Sequence, residues 1–253
     1  YKDSINNTPR GYLATPLYKK IATQIVLRFA DKLIVVSELM VDDVFKLCGR
    51  RPSVIHNSVN IDLYKYDNSK EREYILSVMN LESNSFELKR GEVFLKSIPR
   101  ILEKFPNQKF VIIGRWGDMY KLCLDIINDL DINDNVRLIN SVENTEMPSY
   151  YNSSKIYVQI SDTETFGLSV AEAMSCETPV IISKRGFLPD LVGNEGIYVN
   201  HNSSDSLADA IIRCLNKNDN ELREIGKNLR KRIISKFSYE IRKEKIKKLI
   251  DET

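Results

Sequence analysis

The chain has 253 residues, 42% of them hydrophobic, enough for a substantial core in one large domain or two small ones. Its 37 basic residues nearly balance 35 acidic ones, which leaves no global basic footprint for nucleic acid, and no apolar run approaches the roughly 20 residues of a membrane span. Four scattered cysteines with no C-x-x-C pair, and only two histidines, argue against a zinc site or disulfide framework and for reduced thiols in a cytosolic compartment.

Residues 16–29 predict a helix, Leu33–Val36 a short buried strand, 38–48 a second helix and Ser53–Ile55 a second strand. These four elements cannot close a two-sided sheet. Residues 1–60 therefore read as the C-terminal remnant of a preceding α/β domain, and an opening Tyr1 in place of Met fits a fragment. Residues 61–70, within a stretch rich in Asn, Asp and Tyr, read as a linker.

From residue 71 the pattern changes. Six β-branched runs (Tyr74–Val78, Phe110–Ile113, Val136–Ile139, Ile156–Ile160, Val180–Ile182 and Ile197–Val199) alternate with helical periodicities, the signature of a parallel α/β sheet. Phe94, Ile98, Ile101, Leu102 and Phe105 form one helical face, in which Pro99 should kink the helix or delay its start. Met119 to Leu130 gives a second face. Residues 205–215, 221–237 and 239–250 are helical by the same test, with the break at Ser238. The reading is α/β: one complete doubly wound, Rossmann-like domain at 71–237, then a basic helix at 238–253.

Ligands of open parallel sheets bind beyond the carboxyl ends of the strands. The loop after Ile160 runs from Ser161 to Gly167, with a helix expected from Leu168. Gly167 allows close backbone approach, and the amides of Gly167, Leu168 and Ser169 carry the positive end of the helix dipole, which suits a diphosphate. Glu164 and Glu172 flank that position, and carboxylates accept hydrogen bonds from paired sugar or ribose hydroxyls. A pair of solvated acids at a helix end is the plainer alternative.

The stretch from Glu164 to Val180 resembles the E-x(7)-E signature of retaining glycosyltransferases of the GT-B fold, the glycogen-synthase-like superfamily, through its Phe-Gly-Leu, Glu-Ala-Met and Pro-Val elements. Asp31 to Ser37 and Val54 to Asn60 are similar to the last strands and linker of the family's N-domain, which makes residues 1–60 the tail of a truncated acceptor-binding domain. The resemblance implies that Glu172 accepts ribose hydroxyls, and that Glu164, with the Phe166, Gly167 and Leu168 backbone, holds the transferred sugar and distal phosphate. It matches Lys89-Arg90-Gly91 to the phosphate-binding Lys-Gly, with Arg90 at the lysine position as a catalytic cation beside Glu164. Gly114 resembles the glycine beneath the nucleotide, Met147 begins a short helix beside the base, and Gly186 opens the glycine-rich turn.

Two positions depart from the family. Asn80 stands where a second phosphate-binding arginine is usual, and Arg115 is the candidate substitute. The double glycine of the later turn is Gly186-Phe187. Trp116 reads as packing, with base stacking as the alternative, and His56 and His201 show no partner pattern.

The resemblance implies a UDP-, GDP- or ADP-sugar donor, a glycan or lipid-linked acceptor, retention at the anomeric carbon, and no cofactor or bound metal. Acceptor binding falls to the N-domain, so the chain as given is expected to bind donor weakly and transfer little. Residues 221–253 hold 11 basic against 6 acidic residues. They read as a packed helix pair with a solvated basic face, or as a peripheral contact with the anionic inner face of a membrane. The other functions open to this fold are a sugar-nucleotide epimerase, for which no further cleft acids or histidine are evident; a phosphorylase, for which no pyridoxal-phosphate lysine context is visible; and a non-catalytic nucleotide-sugar-binding module.

Overall fold

The computed structural model describes residues 15–252. The chain divides into two compact units, one running through His56 and one from Asn57 onward.

The first unit contains α1 (Leu17–Phe29), β1 (Ile34–Val35), a 3-10 turn at Glu38–Met40, α2 (Val41–Cys48) and β2 (Ser53–Val54). The two strands pair in parallel, Ile34 with Ser53 and Val35 with Val54. Gly49 ends α2 in the left-handed conformation at φ 72°. The next residue, Arg50, turns its guanidinium onto the carbonyls of Leu27, Arg28 and Ala30, which the end of α1 leaves without helical partners. His56, which shows no partner in the sequence, is held through Nδ1 at 3.0 Å from the Val36 carbonyl.

The second unit is built on β3 (Tyr74–Val78), α3 (Ser83–Leu88), α4 (Gly91–Leu102), β4 (Lys109–Ile113), α5 (Tyr120–Asp129), β5 (Val136–Ile139), α6 (Met147–Asn152) and β6 (Ser154–Gln159). It continues through α7 (Leu168–Ser175), β7 (Val180–Ser183), α8 (Leu188–Val192), β8 (Ile197–Val199), α9 (Ser204–Leu215), α10 (Asp219–Phe237) and α11 (Tyr239–Asp251). All six strand positions expected from the sequence are occupied. The strands are parallel throughout, in the order β5-β4-β3-β6-β7-β8. Strand order therefore reverses between β3 and β6, the switch point at which a doubly wound sheet opens a crevice.

Burial explains why the strands lie flat against helices on both faces. Ile75, Phe110, Ile112, Ile156 and Val158 are almost fully buried, as are Phe94, Ile98 and Ile101 of α4. Each such side chain contributes roughly 1.5–3 kcal/mol of apolar burial. Pro99 neither delays nor ends α4, which starts at Gly91 and runs to Leu102. Gly226 of α10 sits against the turn between α7 and β7 so closely that a Cβ there would lie 2.0 Å from the Glu177 carbonyl oxygen.

The stretch expected as a linker at 61–70 is instead packed into the second unit, whose boundary falls at 56/57. Buried donors reach its backbone. Ser175 Oγ donates to the Tyr64 carbonyl at 2.5 Å, and the Arg230 guanidinium spans the Tyr64 and Ile61 carbonyls at 2.9 and 3.2 Å. Val59 N–H donates to the Phe237 carbonyl at 2.9 Å, beside a bridge between Val59 and Ser238. Ser238 is the expected break, extended at ψ 160° between α10 and α11. No helix among the described residues is long and apolar enough to cross a membrane.

Candidate functional site

The loop after β6 and the loop and short helix after β3 meet at the switch point. Gly167 precedes α7 with φ 92°, a left-handed geometry that a side chain would strain, and a Cβ there would also lie 2.8 Å from Leu188. The first-turn amides of α7, which follows the carboxyl end of β6, have no partner inside the helix. Leu168 is partly exposed beside them. Phe166 is buried, stacked on Phe187 at 5.7 Å and edge-on to Phe237 at 5.6 Å, so this residue offers a ligand its backbone and not its ring.

Glu164 is fixed from its own strand end. Gln159 Nε2 and Ser161 Oγ donate to its Oε1 at 2.7 and 3.1 Å, and Tyr157 hydroxyl anchors Gln159 in turn at 2.7 Å. Its backbone is fixed by the Gly186 turn. Phe187 N–H donates to the Glu164 carbonyl at 2.9 Å, and a Cβ on Gly186, at φ 57°, would lie 2.4 Å from both Glu164 N and O. Gly186 thus allows close backbone approach, but the backbone that approaches is that of Glu164.

Glu172 is held from elsewhere. Tyr151 of α6 donates its hydroxyl to Oε2 at 2.9 Å, and Tyr64 lies close enough to interact with the same carboxylate. Burial pushes the Glu172 pKa up, against the opposing pull of Tyr151, Tyr64 and Lys89. The expected contact of the Met147 helix with a ligand is therefore indirect: Met147 itself is 7% exposed, and the helix reaches the site through Tyr151.

Lys89 is a buried cation that both acids attract. Some of its stem reaches the surface, but its ammonium lies deep, donating to the Val78 carbonyl at 2.9 Å. Burial pulls its pKa down, and Glu164 and Glu172 both oppose that shift. The sequence places Arg90 in this role. Arg90 instead takes φ 55°, and its guanidinium pairs with Asp162 at 3.3 Å while its Nε is buried without a hydrogen bond. Asp162 also gathers His201 Nε2 at 3.1 Å and Arg185 at 3.6 Å, which gives His201 the partner that its sequence context hides. Burial, helped by Arg185 and Arg90, outweighs the attraction of Asp162 and lowers the His201 pKa.

Asn80, at the family's arginine position, and Arg115, its candidate substitute, are both engaged within the fold. Asn80 Oδ1 accepts the Arg115 backbone N–H at 3.0 Å, and the Arg115 guanidinium turns outward onto Glu82 at 2.8 Å. Gly114 is required by the Met79 backbone, whose carbonyl oxygen would stand 2.0 Å from an added Cβ. Trp116 stacks on Tyr120 at 4.3 Å and remains exposed on the surface. The structure thus brings together Glu164, Glu172, Lys89 and the Gly167–Leu168 amides. It adds Gln159, Tyr151, Tyr64 and Asp162, of which only Gln159 carried a signal, as a polar residue inside an apolar strand run.

A doubly wound domain with paired acids and a lysine around a helix N-terminus defines a class of proteins that hold anionic, hydroxyl-rich ligands. The chain matches the family described as glycosyl transferases group 1 over residues 61–232, and it belongs to that family. An uncharacterised glycosyltransferase of Methanocaldococcus jannaschii is 33% identical over 152 residues, covering 59% of this chain and 38% of that protein. A D-inositol 3-phosphate glycosyltransferase of Corynebacterium jeikeium is 25% identical over 98% of this chain and 63% of its own length. Among solved structures, Anabaena HepE in complex with UDP and glucose superposes with a TM-score of 0.80 at 20% identity, over 92% of this chain and 66% of that one. A sucrose-phosphate synthase of Thermosynechococcus elongatus gives 0.76 at 21% identity, over 97% and 64%. The fold is the expected GT-B type, and the chain spans less than two thirds of the length of these relatives.

Proposed function

We propose that this chain is the donor-binding portion of a glycosyltransferase, which holds a nucleoside-diphosphate sugar at the switch point and passes the sugar to a glycan or lipid-linked acceptor with retention. The observation that carries the reading is the buried Lys89 ammonium, which donates to the Val78 carbonyl at the end of β3 and is attracted by both Glu164 and Glu172. Phosphate oxygens accept from the α7 amides and from Lys89, whose charge the two acids keep in place. Glu172 accepts the ribose hydroxyls and Glu164 those of the transferred sugar. Arg90, already fixed by Asp162, stands one residue from Lys89 as a second cation for the leaving diphosphate, the charge that such sites stabilise in the transition state.

HepE crystallised with UDP and with UDP-glucose supports a nucleotide-sugar donor. So does a relative of Escherichia coli, 28% identical over 91% of this chain, named UDP-Gal:alpha-D-GlcNAc-diphosphoundecaprenol alpha-1,3-galactosyltransferase, which also supports a lipid-linked acceptor. A thermal-shift screen against UDP-, GDP- and ADP-sugars tests the reading, since a ligand of the folded state raises its melting point. One donor class is expected to raise Tm in the wild type and not in Glu172→Ala. An equal shift in both would show that Glu172 does not hold the ribose.

A further inference from the structure

The other end of the same sheet carries a second charged site. A cleft of about 490 Å³ lies between the approach to β3, the first residues of β6 and the junction of α9 with α10. Strand β3 has 5 residues, which at about 3.3 Å per residue places this cleft roughly 17 Å from the site around Glu164 and Glu172. Five of its lining residues are cationic and two are acidic.

Among the described residues, one of those cations forms an ion pair. Lys217 pairs with Glu221 at 3.2 Å. Lys70, Arg72, Lys155 and Arg223 form no ion pair with any of the described residues. Arg72 and Arg223 instead converge on one tyrosine. Their guanidinium carbons lie 5.9 and 5.3 Å from the Tyr66 ring centre, and Arg223 also donates to the Tyr66 hydroxyl. Arg72 donates to the Glu177 carbonyl at 2.8 Å, a neutral acceptor. Burial, with Arg223 adding to it, outweighs the attraction of Tyr66 and Glu177 and pulls the Arg72 pKa below the usual arginine value, although a guanidinium remains charged in water.

Like charges held together in excess of the nearby carboxylates, here five cations against Glu71 and Asp219 in the lining, cost free energy unless an anion joins them. The guanidinium fork matches phosphate oxygens two at a time, and lysines supply further point charges. The volume is within the usual range for a small-molecule pocket and exceeds what one phosphate fills.

We propose that this cleft binds the phosphate group of a phosphorylated small molecule or lipid headgroup, through Arg72, Arg223, Lys155 and Lys70, at a site separate from that of the nucleotide sugar. Tyr66 holds the two guanidinium groups at the spacing they need, and the remaining volume admits the body of the ligand.

Inorganic pyrophosphate is the probe, titrated calorimetrically into the full chain, its Lys89→Met variant and its Arg223→Gln/Lys155→Gln variant. Arg223 is exposed and Lys155 half-buried, so the second variant tests charge and not packing. Its far-ultraviolet spectrum and melting point provide the check on folding. The Arg223→Gln/Lys155→Gln variant is expected to lose one class of pyrophosphate site, by roughly tenfold or more in affinity, that Lys89→Met retains. Loss in Lys89→Met alone would support the donor site and overturn this one, as would wild-type binding in the double variant. Vesicles of phosphatidylcholine with phosphatidylglycerol then identify the source. Competition at the cleft assigns a lipid headgroup, and a site filled only by the soluble anion assigns a free phosphorylated molecule.

Discussion

The two ends of the six-stranded sheet treat positive charge in opposite ways. At the carboxyl end, Arg90 and Arg185 converge with His201 on the Asp162 carboxylate, and the buried Lys89 is attracted by Glu164 and Glu172. At the amino end, Arg72 and Arg223 share a tyrosine and Arg72 donates to a neutral carbonyl. A cation that already has its carboxylate is positioned in advance and needs little rearrangement when a ligand arrives, which is what a transfer site requires. A cation without one relies on the ligand for its counter-charge and so reports on whether that ligand is present. On the two proposals above, one scaffold keeps a site for chemistry apart from a site for recognition alone.

Three measurements would break or sharpen that comparison. The largest effect is expected for Gly186→Ala. Its φ of 57° costs a non-glycine residue roughly 1–2 kcal/mol, and the added Cβ meets the Glu164 backbone at 2.4 Å. Donor binding is expected to be lost, with a lower Tm, while the amino-end pyrophosphate site keeps its affinity; joint loss would mean that the two ends are not independent.

A smaller effect is expected for Glu172→Gln, and it depends on pH. The folded pKa of Glu172 is raised, so the folded state binds the proton more tightly than the unfolded chain does. The stability this contributes is complete below the unfolded carboxylate pKa and is lost as pH rises through the folded value. Denaturant titrations across that range should therefore show the wild type losing stability relative to Glu172→Gln as pH increases; parallel curves would contradict the pKa shift. The smallest effect is expected for Arg115→Ala, because its pair with Glu82 is exposed on both sides. Stability should fall by no more than about 1 kcal/mol, with salt removing most of the difference.

The sheet was legible because its strands are buried on both faces and therefore read as continuous β-branched runs, as in Phe110–Ile113 and Val180–Ile182. Glu164 and Glu172 were legible because both belong to one loop and helix. Their supports were not. Tyr151 reaches Glu172 from a different helix, Tyr64 arrives from a stretch whose composition reads as linker, and His201 meets Asp162 across the loops after β8 and β6. The family resemblance located the Lys89-Arg90 turn but not which cation points inward. That choice depends on the backbone of Arg90, whose positive φ sends its guanidinium to Asp162. Asn80 drew attention because it stands where the family has an arginine, and Arg115 as its substitute; in the fold Asn80 accepts from the Arg115 backbone and the Arg115 guanidinium pairs with Glu82.

The stitch between Val59 and the end of α10 has a mechanical consequence. Residue 59 lies just inside the start of the second unit and residue 238 just before its last helix, and they sit side by side. A force pulling those two points apart loads the Val59–Phe237 hydrogen bond and the fork of Arg230 before it loads any strand of the sheet. The ladder between β3 and β6, and with it the pocket at its tip, is shielded from tension carried through the chain. A linker tugged by a moving neighbour would yield at that stitch first, and the grip on the ligand would be the last thing to feel it.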